Sequence, residues 1–184
     1  ARRYAKFPAL TREALQGLAG IAAQSMDDAT RLEALGAGDV VVTGNIKFDI
    51  AAPAVQLALG SAFRAAYGTR RTWLAASTRE GEEALILDAW RQALPANGAL
   101  LVIVPRHPQR FDEVARLAAE RGFVVQRRSE DSPVAAATQV LVGDSMGEMF
   151  AFHAAADVSF IGGSLLDFGS QNLIEAAACG TPIL

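Results

Sequence analysis

The stretch TWLAASTREGEEALILDAWRQALPANGALLVIVP, residues 72–105, reads as a strand, a helix and a second strand. TWLAAS (72–77) and ALLVIVP (99–105) are apolar along nearly their whole length, and the segment between them, about 79–94, has an amphipathic pattern. Near-continuous apolar strands joined through a helix-length connection fit a parallel βαβ unit, whose sheet is covered on both faces. This unit sets the expectation for the chain: an α/β fold with a Rossmann-like parallel sheet and helices on both faces.

The rhythm continues in both directions. Toward the C-terminus come a helix over about 108–121, strands at FVVQR (123–127) and QVLVG (139–143), and a helix at MGEMFAFHAA (146–155). A strand at DVSFIGG (157–163), a helix at QNLIEAAAC (171–179) and the start of another strand at TPIL (181–184) follow. Toward the N-terminus, the Ala-rich residues 51–70 read as helical after Pro53. Further back, strands GIAAQS (20–25) and DVVVT (39–43) flank a helix at MDDATRLEAL (26–35). Ser25 is its expected N-cap, with Asp27 and Asp28 in a first turn that favours negative charge. A domain boundary is expected near 44–55, where a strand exits into Gly44 and Pro53.

Composition narrows the function classes. With 184 residues, 51 % of them hydrophobic, the chain buries a sizeable core as one domain, or one domain and part of another. A net charge of −3 gives no global basic field for nucleic acid. One cysteine, Cys179, excludes an internal disulfide and fits a reducing compartment as a small apolar helix residue. No apolar run reaches the ~18–20 residues of a membrane span. Ala1-Arg2-Arg3-Tyr4 lacks the apolar stretch of a signal peptide. The absence of an initiator Met and a stop at Leu184, within a strand pattern, lead us to expect a fragment. The Gly-rich P-loop and dinucleotide fingerprints are absent, as are a metal-ligand cluster and a thiol-protease signature.

In an open parallel sheet, ligands gather beyond the carboxyl ends of the strands. Four strand ends here carry polar or Gly-rich residues: Ser77-Thr78-Arg79-Glu80-Gly81-Glu82-Glu83, Pro105-Arg106-His107-Pro108, Gly143-Asp144-Ser145-Met146-Gly147-Glu148 and Gly162-Gly163-Ser164. The first also suits an ordinary helix cap with acidic residues in the first turns. Asp144 or Ser145 is equally an N-cap candidate, and Pro108 a natural helix start. Arg106-His107, fixed between two prolines, points to a ligand more than to capping. His153, inside a helix among alanines, reads as structural. Glycines after a strand let a ligand approach the backbone, and a helix N-terminus attracts phosphate. Asn172 is a candidate cap for the last helix. Glu175 fits two roles, acceptance from two ribose hydroxyls or plain capping chemistry, and its spacing does not choose between them.

Five blocks in order, VTGNIKFD (42–49), AASTREGEE (75–83), VPRHPQRF (104–111), GDSMGEM (143–149) and ADVSFIGGSLLDFGSQNLIEAAACGTPIL (156–184), resemble the lipid A Kdo transferases, the 3-deoxy-D-manno-octulosonate glycosyltransferases of lipopolysaccharide assembly. The resemblance covers nearly the whole chain. It implies a GT-B fold, with residues 1–43 the end of the acceptor domain, 44–53 a linker and 54–184 a truncated CMP-sugar-binding domain. It also implies transfer of Kdo from CMP-Kdo to a lipid A precursor by direct displacement, with no cofactor or metal. The expected setting is the cytoplasmic face of the inner membrane, contacted through a preceding domain that also supplies the catalytic Glu; the fragment alone would be inactive.

Residue by residue, the resemblance implies CMP contacts from Pro105 and Arg106, from Met146, Gly147 and Glu148, and from Asn172, Leu173, Ile174 and Glu175. Lys47 matches a transition-state stabiliser. Ser77, His107, Gly163, Ser164 and Gln171 are further candidates. Two positions depart from the family pattern: Gln171 stands where a His is usual and Leu173 where a Pro is usual. Gln donates a hydrogen bond but carries no charge near neutral pH. The competing readings are a GT-B transferase with a UDP-sugar donor and a non-catalytic nucleotide-binding module.

Overall fold

The computed structural model describes residues 4–93 and 98–184; the expected end of the 79–94 helix at Leu94 and the terminal Ala1-Arg2-Arg3 lie outside the described residues. The chain forms two compact units, Ala1–Ile50 and Ala51–Leu184.

The first unit holds α1 (Pro8–Gln16), β1 (Ile21–Ala23), α2 (Met26–Ala34) and β2 (Val40–Val42). β1 and β2 pair in parallel, Ile21 opposite Val40. Ser25 caps α2 as expected, its hydroxyl oxygen accepting from the Asp28 N–H at 3.2 Å. After β2 comes a 3-10 turn, Ile46–Asp49, in which the Asn45 side chain accepts from the Lys47 N–H at 3.0 Å. α1 lies outside the strand-and-helix rhythm of the sequence, although Pro8 at its start and Gly17 at its end are ordinary boundary residues.

The second unit contains α3 (Ala54–Tyr67), β3 (Thr72–Thr78), α4 (Glu82–Ala93), β4 (Leu100–Pro105), α5 (Phe111–Glu120), β5 (Val125–Arg127), β6 (Val140–Val142), α6 (Met149–Ala155), β7 (Val158–Ile161) and α7 (Ile174–Ala178). Its five strands are all parallel, in the order β5-β6-β4-β3-β7. From β3 the chain builds outward through β4, then returns to add β7 on the other flank of β3. The order therefore reverses beside β3, the kind of point where open sheets form a crevice. Ile183 bridges in parallel to Ser159, so the closing TPIL takes the place beside β7 that the sequence predicts for another strand.

Side-chain alternation explains why both faces are dry. Leu74, Ala76, Leu100, Val102 and Val104 pack on one face with Phe63 and Tyr67 of α3 and Phe152 of α6. Ala75, Leu101 and Ile103 point the other way, onto Ile86, Leu87 and Trp90 of α4 and Val114 and Ala118 of α5. α3 and α6 approach closely because position 60 is glycine: a Cβ there would lie 2.7 Å from the Ala154 Cβ.

Several helices start later than their sequence pattern predicts, and the delays fall at the strand ends. α4 starts at Glu82 rather than 79, because Gly81 turns with φ +88° and the Glu82 carboxylate accepts from the Arg79 N–H at 2.8 Å. α6 starts at Met149 rather than 146, after Gly147 at φ +77°. α7 spans Ile174–Ala178 rather than 171–179: the Gln171 N–H is bonded to the Gly162 carbonyl at 2.9 Å, outside any helix. A 3-10 turn, Pro108–Arg110, precedes α5. No helix among the described residues is long and apolar enough to cross a membrane.

Candidate functional site

A cleft of about 320 Å³ opens over the carboxyl ends of β3, β4, β6 and β7. Ala76 and Ser77 line it from β3, and Val104, Pro105 and Arg106 from β4. Ser145, Met146, Gly147, Glu148 and Met149 line it from the β6–α6 connection and the start of α6. His153 and Ile161 close its floor, with Gln171, Asn172 and Glu175 on the last wall.

The cleft exists because the backbone departs from regularity at the strand ends. Ser77 sits in the left-handed region at φ +54°, where the β3–β4 register shifts between Ala76 and Thr78. This bulge places Ser77 on the cleft wall, and its strained conformation is characteristic of ligand-facing strand ends. Position 162 accommodates only glycine, since a Cβ there would lie 2.3 Å from the Ser77 carbonyl oxygen. Gly163 follows at φ +82°, a turn that L side chains rarely adopt.

Two buried carboxylates hold these bends. Glu82, with 0 % exposure, accepts from the Gly163 N–H with both oxygens (2.9 and 2.8 Å) and from the Leu165 N–H at 3.1 Å. It thereby splices the end of β7 to the start of α4. Glu83, also fully buried, accepts from the Thr78 hydroxyl at 2.8 Å and pairs with Arg110 at 2.9 Å. The acidic run after β3 is thus capping chemistry for α4 and, in the same residues, the anchor of the glycine loop across the sheet.

Electrostatically the cleft combines a cation with a partly buried acid. Arg106 is exposed at the end of β4, its N–H bonded to the Thr78 carbonyl at 2.9 Å. Burial raises the Glu175 carboxyl above its ordinary range, and the Arg106 guanidinium pulls it partly back. Asn172 uses its side-chain oxygen locally, accepting from the Ile174 N–H at 3.0 Å. The His153 ring is 1 % exposed, its Nδ1 lies 2.9 Å from the Ser159 hydroxyl, and burial lowers its pKa to about 4, so it is neutral at the cleft floor.

The sequence candidates divide as follows. Ser77, Pro105, Arg106, Met146, Gly147, Glu148, Gln171, Asn172 and Glu175 share the cleft. Leu173, Ile174, His107, Gly163 and Ser164 are outside its lining; Gly163 carries the Glu82 anchor, and the Ser164 hydroxyl donates to the Ile161 carbonyl at 2.7 Å. Lys47 belongs to the first unit, exposed on its 3-10 turn. Sequence reasoning missed the place of His153 on the cleft floor, because a histidine among alanines carries no local signal. It also missed Arg127, Arg128 and Ser129, which brace the β6–α6 loop from the end of β5 and the turn after it; two arginines at a strand end were the available sign.

Comparisons with known proteins bear on the family and the fold. Residues 1–50 match the family model described as 3-Deoxy-D-manno-octulosonic-acid transferase (kdotransferase). A 3-deoxy-D-manno-octulosonic acid transferase of Bordetella pertussis is 46 % identical over 94 % of this chain and 41 % of its own length. Its Haemophilus influenzae counterpart is 36 % identical over 100 % of this chain and 44 % of its own length. The chain therefore spans about two fifths of the length of these curated relatives. The crystal structure of the C-terminal CMP-Kdo binding domain of WaaA from Acinetobacter baumannii superposes with a TM-score of 0.66 at 32 % identity, over 70 % of this chain and 69 % of that one. The second unit thus has the architecture of a GT-B nucleotide domain, and the chain belongs to the 3-deoxy-D-manno-octulosonic-acid (Kdo) transferase family.

Proposed function

We propose that the chain carries the CMP-binding part of a glycosyltransferase that moves Kdo from CMP-Kdo to a lipid A precursor in lipopolysaccharide assembly, at the cytoplasmic face of the inner membrane. The observation that carries this reading is the presence of Arg106 and Glu175 on the lining of one cleft at the strand ends. A guanidinium suits the phosphate of CMP, and a carboxylate suits two ribose hydroxyls. Met146, Gly147 and Glu148, on the same cleft, are the residues we assign to the base. As CMP departs, negative charge grows on its phosphate, and a preplaced cation at Arg106 stabilises that charge more than the ground state. α7 is only five residues long, so the cationic contribution rests on Arg106 more than on a helix dipole. The proposed role of Lys47, at the same developing charge, rests on the sequence block 42–49 alone.

Calorimetric titration of the 184-residue chain with CMP, UMP and AMP tests the reading. The expected result is binding of CMP that is weakened in both Arg106→Ala and Glu175→Ala. Equal affinity for CMP and UMP favours the broader GT-B reading, in which the donor is not fixed as a CMP-sugar. A folded chain that binds none of the three overturns the assignment of the cleft.

A further inference from the structure

The β6–α6 loop that lines the cleft does not stand alone. It is braced by three consecutive residues, Arg127 at the end of β5 and Arg128 and Ser129 in the 3-10 turn Arg128–Glu130 that follows. Arg127 Nε lies 2.7 Å from Asp144 Oδ2, and the Ser129 N–H donates to Asp144 Oδ1 at 2.8 Å. The Asp144 side chain is 2 % exposed, so this end of the loop is pinned. Arg128 reaches the other end: its Nη2 donates to Glu148 Oε1 at 3.3 Å, and its Nε faces Oε2 at 3.2 Å as an ion pair without hydrogen-bond alignment. The Ser145 hydroxyl donates to the same Oε2. Beneath, the Arg128 guanidinium rests 5.0 Å from the centroid of the Phe63 ring, which is part of the hydrophobic core. Its second partner, Asp131, is 91 % exposed and adds little.

This arrangement fixes the position of Glu148. A carboxylate paired to a guanidinium is an acceptor at its remaining lone pairs and donates nothing. Glu148 also lines the cleft. An acceptor at the base end takes a hydrogen bond from an exocyclic amino group and repels a keto oxygen. Cytosine offers the former at the position where uracil offers the latter.

Resting on the reading of the cleft as a nucleotide site, we infer that Arg128 is a positioning residue for pyrimidine choice: it holds the Glu148 carboxylate as the acceptor that selects cytosine over uracil. Arg128 itself touches no substrate. The Phe63 ring sets its height and the paired carboxylate its orientation, so its contribution appears in selectivity more than in binding strength.

Calorimetry with CMP and UMP separates this role from a structural one. The unsubstituted chain is expected to prefer CMP at least about tenfold, the value of one hydrogen bond to a charged group. Arg128→Gln is expected to bring the two affinities to within about threefold, while Arg128→Lys, which keeps a charge but loses the fork, retains part of the preference. A purely structural role weakens both nucleotides equally and leaves their ratio intact, and that result overturns the inference. If Arg128→Gln fails to fold, Glu148→Gln decides: its amide offers a donor, so the preference should shift toward UMP, and an unchanged ratio again overturns the inference. Loss of all nucleotide binding by the unsubstituted chain instead defeats the reading of the cleft, and the inference with it.

Discussion

Both carboxylate oxygens of Glu82, at the start of α4, accept from the backbone N–H of Gly163, at the end of β7, across 2.9 and 2.8 Å. The residues are 81 positions apart, and the acid is fully buried. The glycine loop beside the cleft is thus held by a side chain from another strand end as well as by its own Ser164 and Gln171 bonds. Glu82→Gln puts an amide donor against N–H donors at Gly163, Leu165 or Arg79. Each unsatisfied buried donor costs about 1–3 kcal/mol. The expected outcome is a lower urea midpoint with the slope unchanged, together with weaker CMP binding.

The neighbouring acid makes a separate prediction. Glu83 is fully buried, and Arg110, its charged partner, is only 13 % exposed. Arg110→Met leaves that carboxylate with only the Thr78 hydroxyl. Removing one partner of a buried pair costs about 3–5 kcal/mol. Chemical denaturation is expected to show a loss of that order, and a double variant with Glu83→Gln is expected to recover part of it.

The raised pKa of Glu175 implies a pH dependence. Folding strengthens proton binding at this group, so its contribution to stability is largest at acid pH. That contribution declines as pH rises from the unfolded value of 4.5 through the higher folded one. Ribose recognition by the ionised form has the opposite dependence and weakens as pH falls through the folded pKa. Cytidine, which lacks the phosphate, isolates the effect. Its affinity for the chain is expected to fall as pH drops from neutral through the raised folded pKa of this group, and Glu175→Gln is expected to be weaker and flat over the same range.

His153 acts in the acid direction. Its pKa is lowered from 6.5 to about 4 by burial, so the unfolded chain takes up this proton first. Stability supplied by the neutral ring is complete above pH 6.5 and is lost as pH falls toward about 4, on the order of 3 kcal/mol in all. His153→Gln, measured by thermal melts at pH 7 and pH 4.5, should show a smaller acid shift than the unsubstituted chain.

The sheet was legible in the sequence because period-two burial on both faces leaves nearly unbroken apolar runs. Leu100 through Val104 could not serve a half-exposed strand, and all five are buried. The helix starts were less legible. Gly81 and Gly147 adopt positive φ and delay α4 and α6, and a local pattern does not separate such a turn from a first helical turn. Arg106 and Glu175 stood out because cations and acids at strand ends are visible one residue at a time. Arg128 and Glu82 did not, because their roles depend on partners 20 and 81 residues away. α1 carried its own boundary residues, Pro8 and Gly17, but sits ahead of the first strand, outside the βαβ pattern that organised the reading.

The most direct test of the central claim is a crystal structure of the chain with CMP. The account predicts density in the cleft with the phosphate on Arg106, the ribose hydroxyls on Glu175 and the base against Met146, Gly147 and Glu148. CMP bound outside this cleft, or within it with the ribose turned away from Glu175, contradicts the account.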